Sequence, residues 1–122
     1  MKVIARVTPM GAPRMTQRDK WKKRPVVVRY RAFKDALRES VPDVPEDAAG
    51  VSWVAYMPFP KSYSKKKRAE LAGQAHRQKP DRDNIDKAIL DTLFKEDCRI
   101  SFGTLSKRWD DGGGARIELE IL

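Results

Sequence analysis

Residues 79–97, KPDRDNIDKAILDTLFKED, decide how the rest of the chain is read. Six acids, Asp81, Asp83, Asp86, Asp91, Glu96 and Asp97, fall within this stretch of a chain whose formal net charge is +9. Pro80 biases the preceding Lys79 toward extended backbone. Residues two apart in an extended segment share a side, so Asp81 and Asp83 face one way. Beyond Asn84, the residues Ile85, Ala88, Ile89, Thr92 and Leu93 recur at i, i+3, i+4, i+7 and i+8. That spacing predicts a helix over 84–94 with one apolar face. At about 100° per residue, Asp83 and Lys87 lie roughly opposite Ile85. The apolar stripe anchors the helix while this acid and this lysine look outward together.

Carboxylates gathered so closely repel one another unless positive charge sits among them. Two readings of the cluster are open. In one, a hard divalent cation with oxygen ligands supplies the charge; Mg²⁺ takes only one or two carboxylates, with waters and substrate phosphate completing its shell. In the other, Asp83 caps the helix, Asp86 complements its dipole, and Asp83 with Lys87 forms a surface ion pair. The two are compatible, since a capping carboxylate keeps a free oxygen.

Working outward, the acidic motif is flanked by basic sequence. From Arg14 to Lys34 run Arg14, Arg18, Lys20, Lys22, Lys23, Arg24, Arg29, Arg31 and Lys34, against the single acid Asp19, with Trp21 embedded. Residues 61–79 carry Lys61, Lys65, Lys66, Lys67, Arg68, Arg77 and Lys79, against Glu70 alone. A basic segment with an aromatic inside it can track a phosphate backbone and stack on a base. The candidate nucleic-acid contacts are therefore Arg14, Lys20, Lys22 and Lys23 in the first run, and Lys65, Lys66, Lys67, Arg68 and Lys79 in the second. The bland alternative is a pair of solvated loops, with Trp21 covering the core edge.

At 122 residues the chain fits a single domain, 1–122, with one modest core. Its positive charge favours a polyanionic partner, nucleic acid ahead of an anionic membrane. No apolar run nears eighteen residues and no signal-peptide pattern opens the chain, so a cytoplasmic protein with no membrane association is expected. A lone cysteine, Cys98, excludes an internal disulfide and a thiolate zinc cage. With His76 the single histidine, zinc-hydrolase and Ser-His chemistries are disfavoured. His76 reads as an exposed loop residue, and Cys98 as a small apolar residue directed into a sheet.

The remaining elements follow from periodicity. Residues 2–8 alternate at Val3, Ala5 and Val7, a first strand; Pro9, Gly11 and Pro13 end it. Tyr30, Phe33, Ala36 and Leu37 mark a helix from near Val27 to Ser40. Residues 50–59 read as a strand with Val51, Trp53, Ala55 and Met57 on one face. Val54 and Tyr56 make its other face partly apolar, as in a central strand. Ser64 opens a short helix to about Gly73. Residues 98–109 and 114–121 read as two strands joined by a hairpin at Asp110–Gly114. The expected fold is α+β, a small mixed sheet packed with helices in the order β-α-β-α-α-β-β.

The sequence PDRDNIDK (80–87), followed by Asp91 and the paired acids Glu96 and Asp97, resembles the signature of the RusA family of Holliday-junction endodeoxyribonucleases. That signature is Pro-Asp-x-Asp-Asn, a lysine three residues on, then Asp and Leu, then a paired acid after a short loop. The resemblance extends to the opening strand, to Pro13 and Arg14, and to the SKKKR run at 64–68, although only 79–97 is specific. It implies a RusA-like fold, catalytic acids at Asp81, Asp83 and Asp97 that also bind the metal, and a catalytic lysine at Lys87. It further implies Mg²⁺ as cofactor with Mn²⁺ as a candidate substitute, four-way DNA junctions as substrate, and a homodimer that makes two symmetric cuts. Asp91 matches a motif acid that suits a neighbour of Lys87. Two departures stand out: the usual Asp-Asp pair is Glu96-Asp97, and the loop before it is shortened. Leu90 and Phe94, apolar but off the Ile85–Ile89 face, are available for a dimer contact or for packing beneath that loop. The competing function is a non-catalytic basic nucleic-acid-binding module, in which the acids are caps and ion pairs.

Overall fold

The computed structural model describes residues 1–14 and 24–122. Its elements are β1 (Lys2–Ala5), α1 (Pro25–Ser40), β2 (Val51–Met57), α2 (Lys65–Leu71), α3 (Arg82–Leu93), β3 (Leu105–Trp109) and β4 (Arg116–Ile121), with a 3-10 turn at Asp97–Arg99. The fold is α+β in the order read from the sequence.

Two of the helices begin for a local reason. Pro25 occupies the first turn of α1, where its missing N–H removes a donor that would have no helical partner. Ser64 caps α2 by accepting from the Lys67 amide at 3.1 Å. One face of α3 is buried through Ile85, Ala88, Ile89 and Thr92, and one face of α1 through Val27, Tyr30, Phe33 and Leu37. Burying a side chain the size of Ile85 or Ile89 contributes about 1.5–3 kcal/mol, so the stripe fixes how α3 is rotated. Arg38 Nε donates to the Thr92 carbonyl at 3.3 Å and ties α1 to the end of α3.

The four strands lie in the order β1-β4-β2-β3. Val51, Trp53, Ala55 and Met57 of β2 are buried, while Ser52, Val54 and Tyr56 on its other face are half-covered. This strand is central, as the partly apolar character of its second face suggested. It pairs antiparallel with β4 and parallel with β3. Leu90 and Phe94 are partly buried and pack against the core.

Several local expectations are corrected. The DGGG segment does not close a hairpin: β4 pairs with β1 and β2, and β2 lies between it and β3. The link from Trp109 to Arg116 instead crosses the end of β2, where the Asp110 amide donates to the Met57 carbonyl at 2.9 Å. Two strand spacings, about 10 Å, lie within reach of the intervening residues. Asp110 Oδ1 accepts from the Gly112 and Gly114 amides, and both glycines have positive φ. The strand expected over 98–109 is confined to Leu105–Trp109. Before it, Gly103 takes φ 155°, and a Cβ there would overlap the Val51 carbonyl, so the chain can approach β2 at that point only as glycine. Cys98 consequently lies in the 3-10 turn and is exposed, not directed into the sheet. His76 is buried rather than exposed, its ring 4.5 Å from that of Trp109 in an edge-on arrangement.

Candidate functional site

The N-terminus of α3 positions the motif. Asp81 is the N-cap, in extended backbone, yet its side chain makes no capping hydrogen bond. Asp83, in the first turn, accepts from the adjacent Asn84 amide at 3.0 Å. It complements the helix dipole, but the cap position belongs to Asp81. Asp81, Asp83 and Lys87 are all exposed. Lys79 Nζ stands 3.8 Å from Asp81 Oδ1, a loose surface pair with side chains 89% and 57% exposed. Among the described residues, neither Asp83 nor Lys87 has an ion-pair partner. The surface ion pair between Asp83 and Lys87 weighed from the sequence is therefore not formed.

The scaffold behind these charges is held from three sides. On one side, the Ala12 amide donates to the Asn84 carbonyl at 3.1 Å. Gly11 permits that approach: a Cβ there would come within 2.9 Å of Pro80 Cβ and 3.2 Å of Asn84 Cβ. On the sheet side, Trp53, almost wholly buried, donates from Nε1 to Asp86 Oδ1 at 2.9 Å. Asp86 is thus held one turn beyond Asp83 and pins α3 to the central strand. On a third side, Lys107 of β3 donates from Nζ to the Gln78 carbonyl at 2.6 Å and to the Pro80 carbonyl at 2.7 Å. Burial lowers the Lys107 pKa, and the charge of Asp81 pushes it back up. The His76 pKa is lowered too, by burial first and then by Lys107.

Lys107 and Trp53 are missing from the sequence-based site. A signal for the first was present: in LSKRW, alternation sets Lys107 on the same strand face as Leu105 and Trp109, an apolar face. The Trp53–Asp86 bond spans elements far apart in sequence and left no local trace.

The other acids of the motif lie elsewhere. Asp97 is exposed and opens the 3-10 turn. Its neighbours Glu96 and Arg99 line a groove with Val44, Pro45 and Phe94 at the C-terminal end of α3. A twelve-residue helix spans about 18 Å, so Asp97 sits beyond one end of α3 and Asp81 and Asp83 at the other. The short connection after Leu93 does not carry it back. Among the described residues, no three His, Cys, Asp or Glu side chains are gathered so as to hold a metal ion. Asp91, exposed, raises the pKa of Tyr30, after burial, which is the larger cause.

Of the candidate nucleic-acid contacts, Lys20, Lys22 and Lys23 lie outside the described residues, as does Trp21. Arg14 is exposed, and its carbonyl accepts from Arg24 Nη2 at 3.0 Å. Lys65, Lys66 and Lys67 are exposed on α2, with Lys67 Nζ 3.8 Å from the centre of the Tyr63 ring. Arg68 is more committed: it donates to the Tyr63 and Pro60 carbonyls and so braces the turn before α2. Lys79 is exposed beside Asp81. None of the helices among the described residues is long and apolar enough to cross a membrane.

Set against known proteins, the chain matches the family model described as Endodeoxyribonuclease RusA over residues 6–121. No curated protein matches it.

Proposed function

The chain belongs to the RusA endodeoxyribonuclease family, and from that premise we propose that it resolves four-way DNA junctions by paired, Mg²⁺-dependent phosphodiester hydrolysis as a homodimer. The observation that carries the reading is the exposed trio Asp81, Asp83 and Lys87 at one end of α3, with Asp83 and Lys87 lacking ion-pair partners among the described residues. Two exposed carboxylates of this kind suit Mg²⁺, which keeps most of its waters and accepts phosphate oxygens as ligands.

In this reading Asp81 and Asp83 hold the cation. When bound, Mg²⁺ polarises a phosphoryl oxygen and acidifies water. Lys87, one helical turn beyond Asp83, offers its ammonium to charge developing on the phosphoryl oxygens. Arg14, Lys65, Lys66, Lys67 and Lys79 neutralise the DNA backbone, which makes binding steeply salt-dependent. Asp97 joins the acid set through the family signature alone, and its contribution is tested separately, by Asp97→Asn. A two-fold dimer presents two equivalent sites to a branched substrate.

The test is a synthetic mobile junction incubated with the protein in Mg²⁺, in Mn²⁺ and in EDTA. Paired symmetric nicks with either metal and none in EDTA are expected. A protein that binds the junction but never nicks it with metal present would leave the non-catalytic module as the better account.

A further inference from the structure

Lys107 is out of character with its surroundings. It sits on the helix-facing side of β3 between Leu105 and Trp109, and its backbone is registered against Ala55 of the central strand. Its carbonyl accepts from the His76 amide at 3.1 Å, so the stem starts from a fixed point. Nζ then reaches two carbonyls, those of Gln78 and Pro80, at 2.6 and 2.7 Å. The Pro80 carbonyl belongs to the peptide group that carries the Asp81 amide nitrogen, and that group is planar. Fixing its oxygen fixes the plane from which the Asp81 side chain departs.

We propose that Lys107 is a positioning residue for Asp81: by clamping the carbonyls on either side of Lys79, it sets the direction in which the Asp81 carboxylate is presented to the cation. The proposal rests on the reading of Asp81 as a metal ligand. The third ammonium proton is unused by either carbonyl, and Asp81 lies close enough for its charge to act on Lys107. The bland alternative is that an inward lysine on an edge strand discourages pairing with another sheet. That role requires only a charge on β3 and leaves Asp81 indifferent.

The experiment compares wild type with Lys107→Met, which keeps the stem and removes the donors. Lys107→Gln, which keeps a donor, serves if the first variant fails to fold. Mn²⁺ affinity is measured on the free protein by electron paramagnetic resonance, junction affinity by gel shift in EDTA, and cleavage across a Mg²⁺ titration. Lys107→Met is expected to weaken Mn²⁺ binding by about 10–100-fold and to raise the Mg²⁺ needed for half-maximal cleavage in parallel, as loss of an outer-shell partner does. Saturating Mg²⁺ restores most of the rate, junction affinity is unchanged, and Lys107→Gln falls between. Wild-type metal affinity and Mg²⁺ dependence in both variants would overturn the proposal and leave the cleavage reading standing. So would an equal loss of rate at every Mg²⁺ concentration accompanied by a lower melting temperature, which marks a structural role. A wild-type protein that neither binds Mn²⁺ nor cleaves would overturn the proposal together with the reading beneath it.

Discussion

Two clusters, each of two carboxylates and one cation, have opposite fates. Around Arg116, whose side chain is 9% exposed, every partner is close: Glu118 at 2.7 Å from Nε, and both Asp111 oxygens at 3.0 and 3.1 Å from the two terminal nitrogens. The Gly114 carbonyl takes a further bond, and the guanidinium lies 3.8 Å from the centre of the Tyr56 ring. Arg116 and its Asp111 bonds hold Asp111 down to a pKa of about 2. At the start of α3, Asp81, Asp83 and Lys87 share one exposed helix end and, among the described residues, leave most of their hydrogen-bonding capacity unused. The first cluster spends its charge on the crossing between β3 and β4. The second is braced from behind by Ala12, Trp53 and Lys107, while its charged ends stay available to a ligand. Bracing without neutralisation is what separates a candidate site from a structural ion pair.

That contrast breaks most sharply under substitution. Asp83→Asn should reduce junction cleavage by at least about 100-fold while leaving junction affinity and the melting temperature near wild type. Retained cleavage would remove Asp83 from the chemistry. Lys87→Met should follow the same pattern at about 10²–10³-fold, read from single-turnover rates at saturating protein. Arg116→Met should do the reverse. It leaves two carboxylates facing a vacated pocket, so the melting temperature should drop by several degrees, while metal dependence stays unaltered at temperatures where the variant is folded.

Acid titration sharpens the comparison. The Asp111 carboxyl is held below its ordinary value of 3.8, so its pairing stabilises the fold fully above that value. The stabilisation is lost as the pH falls toward about 2. Arg116→Met should flatten that part of the stability profile, measured by chemical denaturation across the range. The smallest effect on cleavage is expected for Trp53→Phe, which removes the donor to Asp86. It should lower stability by about 1–3 kcal/mol, through the lost bond and the cavity left in the core, and leave metal dependence almost unchanged.

Helices were the most legible part of the sequence. The apolar spacing of Ile85, Ala88, Ile89 and Thr92 is itself the burial pattern of α3, because a helix's neighbours are its sequence neighbours. Strand pairing was less legible: Asp110–Gly114 carries strong turn chemistry, but turn chemistry says nothing about which strand lies alongside. Here β2, made some fifty residues earlier, takes the space a hairpin would need. The charged half of the candidate site, Asp81, Asp83 and Lys87, could be read from one short motif. Its support could not, since Trp53, Lys107 and Ala12 arrive from three distant segments. Asp97 shows the converse limit, since a motif can align a residue without bringing it to its companions.

The position of β4 has a consequence for how the chain assembles. β1 and β2 do not pair; each pairs with β4, and Lys2 meets Glu120 across nearly the whole chain. A nascent chain that has made everything up to the glycine crossing therefore holds two strands with no shared neighbour, and the first of them has an open edge. Closure waits for the 116–121 segment to slide in between, a long-range step that loop-closure entropy makes slow. Until then, prolonged exposure of that edge invites pairing with other chains during synthesis.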